Sequence, residues 1–231
     1  MGVEPAVVEV ELVVFDLDGT LTDSRPGITK AYRRTLEVLG LPPVDAAALD
    51  GCLGPPIREC LTSIGVPAGR LDEAVRAYRE WFVVHGIFDN AVYDGVVPML
   101  TRLRYAGVPT ALATAKLEQH AHDILAHFRL DGLIDGPVCG ASLDGTRVEK
   151  GEILAEALRR AGIAGSPRVL MVGDRAHDVR GGLANGVRPV GAGWGYGAPG
   201  ELAAAGAAHI LDRPEDLADL VLSSERAEPA L

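Results

Sequence analysis

The stretch Val13-Val14-Phe15-Asp16-Leu17-Asp18-Gly19-Thr20 runs an apolar string into two aspartates one residue apart and then into a glycine. A short, continuous apolar run of this kind suits a strand buried on both faces, as in a parallel sheet covered by helices. Its end on Asp16 and Asp18 puts two carboxylates at the carboxyl edge of that sheet, where open α/β folds bind their ligands. Leu17 can point away from both, because successive residues of an extended chain face opposite sides.

The same rhythm recurs further along the chain. Strands are expected at 11–15, 109–113, 168–172, 189–192 and 209–211, each before a turn rich in Gly, Asp or Thr. Between them, Val96-Val97-Leu100-Leu103 and Ile153-Leu154-Ala157-Leu158-Ala161 repeat at helical spacing. Strands alternating with helices predict an α/β fold, a Rossmann-like three-layer core with a parallel sheet. The segment 27–90 differs: Ile28-Tyr32-Leu36-Leu39 and Leu71-Val75-Tyr78-Phe82 are helical, no convincing strand separates them, and Pro42-Pro43, Pro55-Pro56 and Pro67 mark the turns. The expected organisation is a core made of 1–24 and 91–222, a small α-helical domain of 25–90 inserted after the first strand, and a loose tail at 223–231.

Composition narrows the function. A chain of 231 residues fits one domain or a core with a modest insertion, and with 48% hydrophobic but only 5% aromatic residues its interior is built from small aliphatic side chains. A formal charge of -10 disfavours nucleic acid or an anionic membrane as partner. The expected substrate is small, and any anion on it must be met by local positive groups. Cys52, Cys60 and Cys139 form neither a CxxC pair nor a Cys/His cluster, so no disulfide framework or zinc site is expected. Met1-Gly2-Val3-Glu4-Pro5 lacks a basic start followed by an apolar run, and no stretch of about 18 uncharged apolar residues follows, so a soluble cytoplasmic protein is expected.

Collecting the residues just beyond each apolar run gives a coherent set. Asp16 and Asp18 follow the first, Thr114 and Lys116 the second, and Gly173-Asp174 the run Val169-Leu170-Met171-Val172, with Asp178 four residues on. Lys150 opens the helix that leads into that last strand. Carboxylates converging on one edge repel one another and hold raised proton affinities unless a cation lies among them. Magnesium fits, since it takes carboxylate oxygens, keeps some waters and completes its shell with phosphate oxygens. Taken singly these residues say little: Asp-Gly is ordinary turn chemistry, and Glu149-Lys150-Gly151-Glu152 is also a plain charged helix start. Lys116 can equally approach phosphate or open a helix in solvent. His177 reads as a surface helical histidine.

Taken in order, Asp16-Leu17-Asp18-Gly19-Thr20, Thr114 in Leu112-Ala113-Thr114-Ala115-Lys116, Lys150, and Gly173-Asp174-Arg175-Ala176-His177-Asp178 resemble the four signatures of the haloacid dehalogenase-like hydrolases, in their phosphatase branch with a helical cap. That resemblance implies Asp16 as the nucleophile that forms an aspartyl-phosphate and Asp18 as the acid and base. It implies Thr114 and Lys150 as the other catalytic residues, and Gly19, Thr20, Ala115 and Lys116 around the phosphoryl group. Magnesium would be held by Asp16, the backbone carbonyl of Asp18, Asp174 and Asp178.

Gly54-Pro55-Pro56-Ile57-Arg58 is similar to a substrate-facing loop of phosphoglycolate phosphatase-like members, so Arg58 is expected to read a carboxylate or second charged group. The implied partner is a small phosphorylated metabolite, and the implied protein a monomer or homodimer. Nucleoside 5′-monophosphatase activity, a β-phosphoglucomutase-like mutase and, in another class, a non-catalytic phosphoacceptor or binding module remain open beside phosphoglycolate phosphatase.

Overall fold

A computed structural model of the chain describes residues 10–223 and divides them into two compact units, Thr22–Val92 and the remainder. In chain order the elements begin with strand β1 (Leu12–Phe15). Thr22–Val92 then holds β2 (Thr22–Asp23), α1 (Arg25–Val38), α2 (Ala46–Asp50), α3 (Ile57–Ser63), α4 (Leu71–Trp81) and β3 (Ala91–Val92). The chain continues through α5 (Val96–Tyr105), β4 (Thr110–Leu117), α6 (Glu118–His127), β5 (Val138–Ala141), α7 (Lys150–Ala161), β6 (Val169–Gly173), α8 (Ala176–Ala184), β7 (Arg188–Ala192), α9 (Glu201–Ala205), β8 (His209–Leu211) and α10 (Pro214–Ser223).

Among the described residues the larger unit is a parallel sheet in the order β5-β4-β1-β6-β7-β8. Phe15 on β1 lies opposite Leu112 of β4 on one side and Val172 of β6 on the other. The three strands that run into Asp16, Thr114 and Asp174 are therefore neighbours, and their ends share one edge. Alternate residues Leu12, Val14, Ala111, Ala113, Cys139, Ala141, Val169 and Met171 form one buried cluster with Ile153, Leu154, Ala157 and Leu158 of α7. Val13, Phe15, Leu112, Leu170 and Val172, on the opposite face by the period of a strand, are equally buried. Burial on both faces is why these strands read as unbroken apolar runs, and each such side chain contributes about 1.5–3 kcal/mol.

Two elements depart from the expected pattern. β4 continues past Ala113 to Leu117, its register against β5 shifting between Thr114 and Leu117. The short run Val138-Cys139-Gly140 is part of a full edge strand, β5. Gly140 weakens the local strand signal, yet a Cβ there would come within 2.5 Å of the Lys116 carbonyl oxygen, so only glycine lets the two backbones pass. Ser223, the expected start of a loose tail, closes α10; residues 224–231 lie outside those described.

In Thr22–Val92, α1 packs against α4 through Tyr32 and Tyr78, whose rings are 4.7 Å apart, and Tyr78 stacks on Phe82 at 5.6 Å. α4 runs on into a single π-helical turn, Phe82–Gly86. A Cβ on Gly27 would fall 2.1 Å from the Gly86 carbonyl oxygen, so glycine permits this close approach. The short antiparallel ribbon of β2 and β3 joins the ends of the unit. Among the described residues no helix is long and apolar enough to cross a membrane, and Cys52, Cys60 and Cys139 are free and buried.

Candidate active site

β1 ends by delivering Asp16, whose N–H donates to the Val172 carbonyl at 2.8 Å and so ties it to β6. The alternation that sends Leu12 and Val14 toward α7 continues to Asp16, which meets Lys150, the first residue of α7. Glu152 accepts hydrogen bonds from the Val148 and Glu149 amides, so this helix start is the charged cap its sequence suggested, while the lysine beside it turns inward. The Lys150 ammonium lies 2.8 Å from Asp16 Oδ1 and 2.8 Å from Asp178 Oδ1, and donates to the Ala113 carbonyl at 2.9 Å. Three partners match the three donors of an ammonium. Gly181 on α8 leaves room for its stem: a Cβ there would be 3.0 Å from Lys150 Cγ.

Electrostatics splits the carboxylates. Burial alone would lower the proton affinity of Lys150, but Asp16 and Asp178 reverse this and hold the ammonium charged. Burial raises Asp16, and Asp178 adds to the effect; Lys150 offsets only part, so Asp16 stays above the ordinary carboxyl value. Asp178 starts from the same burial, but Lys150, His177 and the Arg175 amide at 3.0 Å pull it below that value. Asp174 is pushed well above it by burial first and then by Asp178 and Asp16. One Asp174 oxygen, Oδ2, accepts from the Tyr196 amide at 2.7 Å; among the described residues Oδ1 has no hydrogen-bond partner and is buried.

Asp18 pairs through Oδ2 with Lys116 Nζ at 3.1 Å, and its Oδ1 likewise lacks a hydrogen-bond partner among the described residues. The site thus presents four carboxyl groups to two ammonium groups; among the described residues the Oδ1 atoms of Asp18, Asp174 and Asp178 are buried without a hydrogen bond, that of Asp178 being held by the Lys150 ion pair. That donor set suits a hard dication with oxygen ligands. Asp16, His177 and Asp178 each offer a ligand atom within 4.8 Å of the others, and His177 Nε2 is 3.7 Å from Asp178 Oδ1, closer to the cluster than a surface histidine.

Thr114 is buried at the shifted end of β4, and its hydroxyl accepts from the Lys116 amide at 3.3 Å. Ala115 is exposed beside it. Gly19 takes φ +80°, and a Cβ there would stand 2.2 Å from Asp174 Oδ2, so glycine serves both the turn and the approach. Thr20 is buried and its carbonyl accepts from the Trp194 indole N–H at 3.0 Å. Arg58 belongs to Thr22–Val92, where its guanidinium pairs with Asp72 and remains largely exposed.

Two supports lie far along the chain. Gly195 and Gly197 press on Asp174: a Cβ at either would come within 2.4 Å of that residue. The glycines of Trp194-Gly195-Tyr196-Gly197 announce a structured loop, but not what it touches. Glu201 accepts from the Ala176 amide at 2.8 Å and Arg175 Nε at 2.9 Å, steadying the start of α8. No local signal marks Glu201, because its role arises only when the chain returns.

A family model described as haloacid dehalogenase-like hydrolase matches residues 13–192. The tyrosine-protein kinase PtkA of Mycobacterium tuberculosis is 43% identical over 188 residues, 81% of this chain and 63% of that protein. The chain therefore spans less than two thirds of PtkA. The 5′-nucleotidase of Pseudomonas aeruginosa is 40% identical over 193 residues, covering 83% of this chain and 86% of that one. A solved structure titled as a predicted phosphatase from Clostridium acetobutylicum superposes with a TM-score of 0.86 at 33% identity, over 93% of this chain and 99% of its own. With the ordered signatures at neighbouring strand ends, these matches make the chain a member of the haloacid dehalogenase-like hydrolases.

Proposed function

We propose that the protein is a magnesium-dependent phosphatase that hydrolyses a small-molecule phosphate monoester through an aspartyl-phosphate on Asp16. The observation that carries this reading is the shared Lys150 ammonium, which fixes Asp16 in a cluster with Asp174, a carboxyl group whose buried Oδ1 has no hydrogen-bond partner among the described residues. Asp16 is the nucleophile and attacks phosphorus, splitting one hard displacement into two easier ones. Lys150 holds its carboxylate in place and balances charge as the phosphoryl group arrives. The Thr114 hydroxyl and the backbone of the adjacent turn at Ala115 receive phosphoryl oxygens, with Gly19 and Thr20 closing the other side. Asp18 gives its proton to the departing alcohol oxygen and later takes one from the attacking water. Magnesium, held by Asp16, the Asp18 carbonyl, Asp174 and Asp178, would screen the negative charge between site and substrate.

Residues 25–90 would act as a cap that excludes water around a small metabolite. The likeness of the Gly54–Arg58 loop favours 2-phosphoglycolate as substrate. The identity with the Pseudomonas aeruginosa 5′-nucleotidase favours a second reading, nucleoside 5′-monophosphates. Likeness to PtkA adds phosphoryl transfer to protein tyrosine as an arm of the test. A cytoplasmic location belongs to the same proposal, and a mutase acting on hexose phosphates is the alternative that the hexose phosphate assay tests.

The test is kcat/KM with magnesium for 2-phosphoglycolate, nucleoside 5′-monophosphates, hexose phosphates and pyrophosphate, beside an assay for label passing from ATP to a tyrosine peptide. Asp16→Asn should cut turnover by about three orders of magnitude or more while the fold survives, since Lys150 keeps Asp178. Substantial turnover by that variant, or turnover in excess chelator, overturns the assignment.

A further inference from the structure

The end of β4 carries a feature that the assignment of Asp16, Lys150 and Asp174 does not use. Pairing with β5 proceeds in step from Leu112 opposite Val138 to Thr114 opposite Gly140, and then jumps so that Leu117 faces Ala141. Ala115 and Lys116 are thus bulged out of the ladder, and such irregularities bend a strand and re-aim a side chain. Glycine at 140 makes room for it: a Cβ there would fall 2.4 Å from the Glu118 amide nitrogen and 2.5 Å from the Lys116 carbonyl oxygen. The bulge is also tied from within, by the Lys116 N–H on the Thr114 hydroxyl at 3.3 Å.

The side chain so aimed meets Asp18. Lys116 Nζ lies 3.1 Å from Asp18 Oδ2, with the two side chains only 7% and 19% exposed. The other Asp18 oxygen is buried and has no hydrogen-bond partner among the described residues, so the lysine is what fixes this carboxyl group from the side. We propose that Lys116 is a positioning residue for Asp18, holding the proton donor toward the leaving oxygen, and is not primarily a receptor for substrate phosphate. The proposal rests on the assignment of Asp18 as the acid of the phosphatase reaction. In the step concerned, Asp16 oxygen forms a bond to phosphorus, the bond from phosphorus to the alcohol oxygen breaks, and the Asp18 proton passes to that oxygen, leaving the alcohol neutral.

A positioned acid matters in proportion to how badly the leaving group needs a proton. p-Nitrophenolate departs without one, whereas an alkoxide does not. The experiment compares kcat/KM for p-nitrophenyl phosphate and for glycerol 3-phosphate in the wild type, Lys116→Met, Lys116→Arg and Asp18→Asn, with inhibition by inorganic phosphate as a separate measure of phosphate binding. Lys116→Met should lose about 30-fold or more on the alkyl phosphate but no more than about threefold on the aryl phosphate, a part of the roughly 10²–10⁴-fold that the general acid itself supplies. Its inhibition constant for inorganic phosphate should be unchanged, and Lys116→Arg should recover part of the alkyl rate.

Equal losses on both substrates, or a matching rise in the phosphate inhibition constant, would show that Lys116 binds phosphate and would overturn the proposal. Asp18→Asn separates the two assignments. It should show the same selective loss, only larger; if it does not, the acid assignment fails, while selective loss in Asp18→Asn without selective loss in Lys116→Met defeats the positioning role alone. Circular dichroism and melting temperature identify a variant that has not folded, in which case Lys116→Arg and Lys116→Gln carry the comparison.

Discussion

Asp178 and Asp174 stand four residues apart, both buried, and the protein treats them in opposite ways. Asp178 shares the Lys150 ammonium, accepts from the Arg175 amide, and is drawn below the ordinary carboxyl value. Asp174 has the Tyr196 amide on one oxygen and, among the described residues, no hydrogen bond on the other, and burial pushes it well above that value. A buried carboxylate is tolerated when it is paired and costly when it is not. The chain therefore neutralises one half of its acidic cluster itself and leaves in the other a buried oxygen with no hydrogen-bond partner among the described residues.

The largest effect is expected from breaking the satisfied half. Lys150→Met strands Asp16 and Asp178, whose side chains are 7% and 1% exposed, without their shared ammonium. Leaving a buried charge uncompensated costs about 3–5 kcal/mol, a large part of the total stability of an ordinary domain. Urea unfolding without magnesium should show this loss, and adding Asp178→Asn to the lysine variant should recover a portion of it. A lysine variant as stable as the wild type would mean that the triad is not what holds this edge together.

The unsatisfied half should respond with the opposite sign. With its affinity raised, Asp174 binds its proton more tightly in the folded than in the unfolded chain, so it costs stability as pH rises above the ordinary carboxyl value of 3.8 through its folded value. Asp178, being lowered, contributes stability above that value, and the contribution is lost as pH falls through its folded one. Asp174→Asn should therefore stabilise the metal-free protein at neutral pH by about 1 kcal/mol, or roughly 2–4 °C in Tm, and should lack the rise in Tm that the proposed magnesium site predicts for the wild type. Differential scanning calorimetry at pH 5 and 7.5, with and without magnesium, separates the contributions. A destabilised asparagine variant that still responds to magnesium would remove the distinction between the halves.

Legibility in the sequence cuts across these two halves. Asp16 and Asp174 announce themselves, because burial on both faces of β1 and β6 writes continuous apolar runs and each carboxylate follows one of them, whereas Lys150 and Asp178 sit in helix starts and gain meaning only from the order of the motifs. The alternation of strands and helices predicts a parallel sheet, while the adjacency of β4, β1 and β6 is seen only in the structure. Less visible was whatever depends on the returning chain. The bulge at Ala115 and Lys116 requires Gly140 opposite, and an isolated Val138-Cys139-Gly140 looks too short to be the strand that supplies it. His177 reads as a surface histidine on a helix, yet its Nε2 lies 3.7 Å from Asp178 Oδ1. The helical periods in 27–90 marked α1 and α4, while the pairing of Arg58 with Asp72 could not be read from spacing alone.

The smallest expected effect tests how the unsatisfied half is held in place. Gly195 lies where a Cβ would fall 2.3 Å from both Asp174 Cβ and the Gly19 carbonyl oxygen, so Gly195→Ala must push the loop, the aspartate or the turn after β1. Lys150 and Asp178 do not touch this glycine, so the satisfied half should be spared. The expected result is about a tenfold weaker magnesium affinity, the lower end of what losing an outer support costs a metal site, with a smaller loss of stability than Lys150→Met causes. Isothermal titration with magnesium alone reads the first, and urea unfolding the second. If the alanine variant binds magnesium as tightly as the wild type, the Tyr196 amide and the glycine loop do not orient Asp174, and the contrast with Asp178 reduces to the presence or absence of a lysine.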